Sequence, residues 1–189
     1  MSPRPSAPGK VRLIGGAWRG RRLAVADVPG LRPSGDRLRE TLFNWLQPFV
    51  GGARCLDLFA GSGALGLEAL SRGAEEAVLV ERDAQAAAAL RAAIDTFGAS
   101  GRATLVHGTA EAFLDANAVP FDLVFVDPPF DDACQGPVLA RLARGHLATG
   151  ASVHVESPRG QSLGALPEGF VVHRERAFGD VAARLLRFS

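Results

Sequence analysis

One stretch of the chain carries residue types suited to amine chemistry: Phe121-Asp-Leu-Val-Phe-Val-Asp-Pro-Pro-Phe130. Leu123, Val124, Phe125 and Val126 have the β-branched and aromatic character of a strand buried on both faces. Pro128 and Pro129 cannot donate to a sheet ladder, so the strand has to stop there. Its end presents the Asp127 carboxylate, the Pro128 carbonyl and the Phe130 ring. Two acceptors suit the hydrogens of an amino group on a flat base, and the ring offers that base a stacking face. A strand ending in Asp-Pro is also an ordinary turn, and a lone Phe beside it is usually core, so the motif's weight depends on its company.

That company is Arg54-Cys-Leu-Asp-Leu-Phe-Ala-Gly-Ser-Gly-Ala-Leu-Gly-Leu-Glu-Ala-Leu-Ser-Arg-Gly73. It reads as a short apolar strand, a glycine turn and a helix ending at Gly73. Gly61, Gly63 and Gly66 match the spacing of the dinucleotide fingerprint, and Glu81 closes the next apolar run at the place where an acid accepts from ribose hydroxyls. NAD-type dinucleotides and S-adenosylmethionine both use such a turn. Asp57, just before the glycines, would repel a pyrophosphate but suits the cationic amino-acid end of S-adenosylmethionine. The absence of any tyrosine also removes the usual Tyr-Lys proton relay of an oxidoreductase.

These motifs need a sheet to hold them. Strand candidates at 54–59, 76–81, 103–108, 121–126, 151–156, 170–176 and 181–188 alternate with helical stretches, which predicts an α/β, doubly wound, seven-stranded sheet with its last strand antiparallel. Ahead of it, Val11 to Val25 reads as a glycine-turned hairpin, and Leu38, Leu42, Trp45, Leu46 and Phe49 recur at helical intervals, placing Trp45 in the core. Residues 1–50 are expected to form a basic extension, with 1–9 a loose tail, and residues 51–189 the catalytic unit.

Charge is divided along the same line. Residues 1–50 hold nine basic groups against three acidic ones, whereas the remainder holds twelve arginines against seventeen acids. A basic extension on an acidic body fits a polyanion grip fused to a catalytic unit, although a solvated charged face would also carry such a run. Arg12, Trp18, Arg19, Arg21, Arg22, Arg32, Arg37 and Arg39 are the candidates for nucleic-acid contact. With 47% hydrophobic content the chain can bury one sizeable core. Cys55 and Cys134 fit no metal spacing and read as free thiols in a reducing compartment; no metal is expected. His107, His146, His154 and His173 lack a serine elbow or metal spacing and read as structural. No apolar run approaches a membrane span, and no basic-plus-apolar leader is present, so a cytoplasmic monomer is expected.

The chain resembles the bacterial RsmD family, small-subunit ribosomal RNA guanine-N2 methyltransferases of the class I, Rossmann-like fold. The resemblance is carried by Arg12-Leu-Ile-Gly-Gly-Ala-Trp-Arg-Gly-Arg-Arg-Leu23, by Gly30 to Leu46, by Cys55 to Gly73 and by Val124 to Phe130. It implies methylation of a guanine in 16S rRNA, within an assembled or partly assembled small subunit, with S-adenosylmethionine as donor. The implied cofactor set is Asp57, Phe59, Gly61, Gly63, Glu81, Arg82, Thr109 and Ala110, and the implied catalytic set is Asp127, Pro128 and Phe130. Two departures stand out. Ser34-Gly35 lacks the second hydroxyl common in such proteins, and Thr109 stands where class I enzymes often offer Asp or Asn to the adenine amino group. An amino methyltransferase acting on adenine or cytosine would use the same acceptor pair, and a non-catalytic RNA-binding module would be expected to have lost Asp127, Glu81 or the glycines; all are present.

Overall fold

A computed structural model describes residues 9–28, 34–116, 119–129 and 132–189. Most of the expected tail, together with Arg32 and Phe130, lies outside them. Among the described residues no helix is long and apolar enough to cross a membrane.

The chain opens with an antiparallel hairpin, β1 (Lys10–Arg12) and β2 (Arg22–Ala24), whose connection includes a 3-10 turn at Gly16–Trp18. Helix α1 (Asp36–Val50) leads into β3 (Arg54–Asp57), α2 (Ala64–Ser71), β4 (Glu76–Glu81), α3 (Ala84–Thr96) and β5 (Ala103–His107). There follow α4 (Ala110–Ala116), β6 (Phe121–Val126), α5 (Gln135–Leu142), β7 (Leu147–Pro158), β8 (Phe170–Phe178) and β9 (Val181–Phe188). The seven strands after the hairpin form one sheet in the order β5-β4-β3-β6-β7-β9-β8. Only β9, the last in sequence, runs against both of its neighbours. This is the doubly wound sheet that the strand pattern predicts.

Period-two alternation sorts the strand residues onto two faces. Cys55, Leu79, Leu123, Phe125 and Leu185 enter a core with residues of α1, α2 and α3. Leu56, Val80, Val124, Val126, Val153 and Val155 enter a second core with α4 and α5. Strands covered on both faces are why residues 121–126 read as an almost continuous apolar run. β7 starts earlier than the expected 151–156 because Leu147 pairs with Phe121 ahead of a register shift between Phe121 and Leu123.

The hairpin is part of the first core: Val11, Leu13, Leu23 and Val25 are buried with residues of the helices and the sheet. Burying side chains of this size contributes about 1.5–3 kcal/mol each. Helix α1 differs from its expected packing. Its buried stripe is Leu38, Arg39, Leu42, Phe43, Leu46 and Val50, which turns Trp45 to the margin as a half-buried residue rather than a core one.

Candidate active site

The parallel strands turn back on themselves at β3. From β3 the chain winds outward through β4 to β5, then crosses to β6 on β3's other side. The carboxyl ends of β3 and β6 therefore flank a topological switch point, where α/β sheets leave a crevice. A cleft of about 1350 Å³ opens there, lined from β3 by Asp57 and Phe59, from β4 by Glu81 and from the end of β6 by Asp127 and Pro128.

Alternation also explains why the acids face one another. Asp57 shares its face with Cys55, Glu81 with Leu79, Asp127 with Phe125 and Glu156 with His154. Val126 pairs with Val155, so Asp127 and Glu156 come next along adjacent strands. Four carboxyls thus approach one face of the sheet's edge.

Each acid is held differently. Asp57 Oδ2 accepts from the Gly66 amide at 3.1 Å, while its buried Oδ1 has no hydrogen-bond partner among the described residues. Burial pushes the Asp57 carboxyl up to about 7 against the pull of the Gly66 amide. Glu81 Oε2 accepts from the Gly61 amide at 2.8 Å and Oε1 from the Asp83 amide at 2.7 Å, which pins the glycine turn to β4. A carboxylate has about four acceptor positions, so Glu81 keeps capacity for ribose hydroxyls. Asp127 is partly open to the cleft. Its carboxyl is pushed well above the usual range by removal from water and then by the charge of Glu156, with a Ser34 hydrogen bond opposing.

The glycines earn their places by close approach. Gly63 caps α2 at φ +80, and a Cβ there would lie 2.4 Å from Leu90 Cδ1. At Gly66 a Cβ would lie 2.2 Å from Leu79 Cδ2, so its absence lets α2 press against β4. An unpartnered buried carboxylate oxygen beside such a turn fits the ammonium end of S-adenosylmethionine better than a pyrophosphate.

Phe59, Gly61, Arg82, Thr109 and Ala110 also line the cleft, whereas Gly63 is not among its lining residues. Arg82 pairs with Asp132 at 2.9 Å, and Thr109 Oγ1 accepts from the Ala112 amide at 3.2 Å, capping α4. The basic candidates divide. Arg37 lines the cleft, and Arg12, Arg19, Arg21 and Arg22 are exposed on the hairpin. Arg39 requires correction: it is 0% exposed, donates to the carbonyls of Ser34 and Arg12 and to Asp36, and cannot reach a phosphate. Trp18 stacks on Phe97 with centroids 5.2 Å apart, so this ring face covers the protein's own apolar side instead of meeting a base. Arg21 lies over the same Phe97 ring and donates to the Thr96 carbonyl.

Sequence reasoning missed the role of Ser34, whose Oγ lies 3.0 Å from Asp127 Oδ2 and 2.8 Å from Glu156 Oε1. A hydroxyl is therefore kept beside the carboxyl end of β6. Gly35 has open space where a side chain would stand. The Arg176 to Val181 turn, which lines the opposite wall, was missed as well. Nothing in its local pattern marks it, because only the β9 reversal brings it to the cleft.

The family model described as "Conserved hypothetical protein 95" matches residues 11–187. Ribosomal RNA small subunit methyltransferase D of Escherichia coli (strain K12) is 48% identical over 184 residues, 97% of this chain and 92% of that protein. The chain belongs to this methyltransferase family. The Haemophilus influenzae protein of the same name is 40% identical, over 96% of this chain and 95% of its own length. Among solved structures, yhhF from Escherichia coli superposes with a TM-score of 0.88 at 44% identity, covering 96% of this chain and 99% of that one. HI0767 from Haemophilus influenzae gives 0.81 at 36% identity, covering 95% and 99%. This methyltransferase accordingly keeps the family fold over almost its whole length.

Proposed function

We propose that this methyltransferase transfers a methyl group from S-adenosylmethionine to the exocyclic N2 of a guanine in 16S ribosomal RNA, within an assembled or partly assembled small subunit. The observation that carries the reading is the pairing in one cleft of an amine-accepting strand end, Asp127-Pro128, with the Asp57, Gly61 and Glu81 cradle. The names of the relatives support ribosomal RNA of the small subunit as the substrate class. When bound, S-adenosylmethionine supplies a methyl carbon made electrophilic by its sulfonium.

Asp57 would hold the donor's ammonium, the Gly61 turn its backbone approach, and Glu81 the ribose. Guanine N2 is a poor nucleophile because its lone pair is delocalised into the ring. Asp127 and the Pro128 carbonyl would accept the two amino hydrogens and let the nitrogen move towards tetrahedral geometry. A base removed from its stack into the cleft would leave these acceptors fixed beforehand, so alignment and electrostatics would supply most of the rate. Asp127 would take the proton released as the new N–C bond forms. Phe130 is proposed as the stacking ring, and Arg12, Arg19, Arg21, Arg22, Arg32 and Arg37 as phosphate contacts. On this reading residues 51–189 form the catalytic unit and residues 1–50 the basic RNA grip.

The test is transfer of labelled methyl to small subunits from a strain deleted for this gene, followed by nucleoside analysis. N2-methylguanosine is the expected product. Methyladenosine or methylcytidine would overturn the choice of base, and no transfer to subunits or their free RNA would overturn the substrate.

A further inference from the structure

The hydrogens around Ser34 do not add up unless one acid in the cleft is protonated. Ser34 Oγ lies within hydrogen-bond distance of both Asp127 Oδ2 (3.0 Å) and Glu156 Oε1 (2.8 Å). A serine has one hydrogen to donate, so one of the two contacts requires a hydrogen on a carboxyl. His154 Nε2 lies 3.0 Å from the same Glu156 oxygen, and its buried Nδ1 has no hydrogen-bond partner among the described residues. A neutral imidazole with its hydrogen on Nε2 satisfies that contact and leaves no buried N–H unpaired.

Two arrangements then satisfy every contact with the same number of protons. In one, Asp127 carries the proton and donates to Ser34, which donates to Glu156. In the other, Glu156 carries it and donates to Ser34, which donates to Asp127. They interconvert by passing the Asp127 hydrogen to Ser34 Oγ as the serine hydrogen passes to Glu156 Oε1. One O–H bond breaks and one forms at the serine, and no other reactant is needed.

We propose that Glu156, acting through the Ser34 hydroxyl, stores the proton that Asp127 must give up before it can accept an amino hydrogen from the substrate base. This rests on the reading of Asp127 as the amine acceptor. Ser34 and Glu156 are positioning residues, since both act through Asp127. A protonated Asp127 would offer the base a donor where an acceptor is required. With the proton on Glu156, the Ser34 hydrogen turns to Asp127 and stabilises the carboxylate that faces the cleft.

The charged surroundings set the direction of each test. Glu156 and His154 come from β7, and Asp57 comes from β3. Arg37 lines the cleft from α1, while Arg39 reaches the Ser34 carbonyl at 3.1 Å. Arg176 and Asp180 line the cleft from the turn between β8 and β9. Burial, then the charges of Glu156 and Asp57, oppose ionisation of Asp127, and the Ser34 hydrogen bond favours it.

The experiment measures kcat and KM from pH 5.5 to 9 for the full chain with S-adenosylmethionine and unmethylated small subunits. Ser34→Ala, Ser34→Thr, Glu156→Gln and Asp127→Ala are compared with the wild type, with thermal melts run alongside. Removing the Ser34 hydroxyl should move the acid limb of kcat to higher pH and lower kcat about tenfold at pH 6.5, a change of order one charged hydrogen bond. KM for S-adenosylmethionine should stay within about twofold, because this pair is not assigned to the donor. Ser34→Thr should restore the profile. Glu156→Gln should move the limb to lower pH, because the pair then holds no shared proton and Asp127 ionises as a single acid. Opposite shifts are not expected of variants that merely fold less well. Should Ser34→Ala fail to fold, Ser34→Thr and Glu156→Gln decide: the hydroxyl-bearing variant must keep the wild-type limb while Glu156→Gln moves it down. Unshifted limbs, or a shift in the same direction for both Ser34→Ala and Glu156→Gln, overturn the store while an inactive Asp127→Ala leaves the acceptor reading standing. An Asp127→Ala enzyme of wild-type activity overturns the acceptor reading itself, because alanine has no oxygen to accept an amino hydrogen.

Discussion

In the proposed reaction Asp127 and Asp57 have separate tasks, and each gives a separable prediction. Asp127→Ala removes one of two acceptors for the amino hydrogens and should lower kcat about 100-fold or more, with an unchanged melting profile. An active, folded variant would take this residue out of the mechanism. Asp57 is expected to govern the donor instead. Its folded value of about 7 lies above its ordinary value of 3.8, so protonation stabilises the ligand-free protein. That contribution is fully present below about pH 4 and is lost as pH rises towards 7. Donor affinity should run the other way, because an ammonium prefers the ionised acid. Calorimetric titration should therefore show S-adenosylmethionine binding tightening from pH 6 to 8. Asp57→Asn should weaken binding about 10- to 100-fold and flatten that dependence, in line with loss of one charged hydrogen bond. A pH-independent wild-type affinity would separate Asp57 from the ammonium.

At the scale of elements, Glu68 in α2 is the junction between the hairpin and the sheet. It is 0% exposed and accepts from the amides of Ile14 at 2.8 Å and Gly15 at 2.7 Å, and from Arg72 Nε at 2.8 Å. Arg39, also 0% exposed, places Nη1 3.6 Å from the same carboxylate. One acid thus satisfies two turn amides and compensates a buried guanidinium. Its charge faces a buried guanidinium that Asp36 also pairs, at 2.6 Å. Glu68→Gln should cost about 3–5 kcal/mol of stability, read from the urea midpoint at constant slope, since it breaks a buried ion pair and turns an oxygen that accepts from a turn amide into a donor. A cost below about 1 kcal/mol would mean that Asp36 alone compensates Arg39. Helix α2 read from sequence as a helix ending at Gly73, and its apolar spacing does position Leu67 and Leu70 in the core. Glu68 was not legible as buried, because charged residues are normally exposed and its partners lie more than fifty residues upstream in two of the four contacts.

For the whole molecule, the uneven charge of the chain becomes a surface only where the arginines are exposed. Among the described residues no ion pair holds Arg19, Arg22 or Arg37, whereas Arg39 is consumed internally and Arg12 pairs with Asp36. Arg19→Ala with Arg22→Ala should weaken RNA binding and reduce the slope of log affinity against log salt by about 0.7–0.9 per lost phosphate contact. S-adenosylmethionine affinity should not change. An unaltered salt slope would assign the hairpin arginines to the protein surface alone, as Arg21 over Phe97 already illustrates for one of them.

The sequence by itself determined the sheet, the reversed last strand and the two strand ends that carry Asp57 and Asp127. Those features are local or periodic: prolines stop a ladder, glycines permit close approach, and apolar alternation assigns faces whatever the rest of the chain does. Only the tertiary structure decided which polar groups meet. Ser34 joins Asp127 and Glu156 from positions 93 and 122 residues away along the chain, and Arg39 turns inward because Glu68 waits there. Trp45 left the core because the sheet selected a neighbouring stripe of α1, and Trp18 turned its ring to Phe97. Spacing along a helix or strand sets directions, but hydrogen-bond partners and buried charges depend on which elements come to lie side by side.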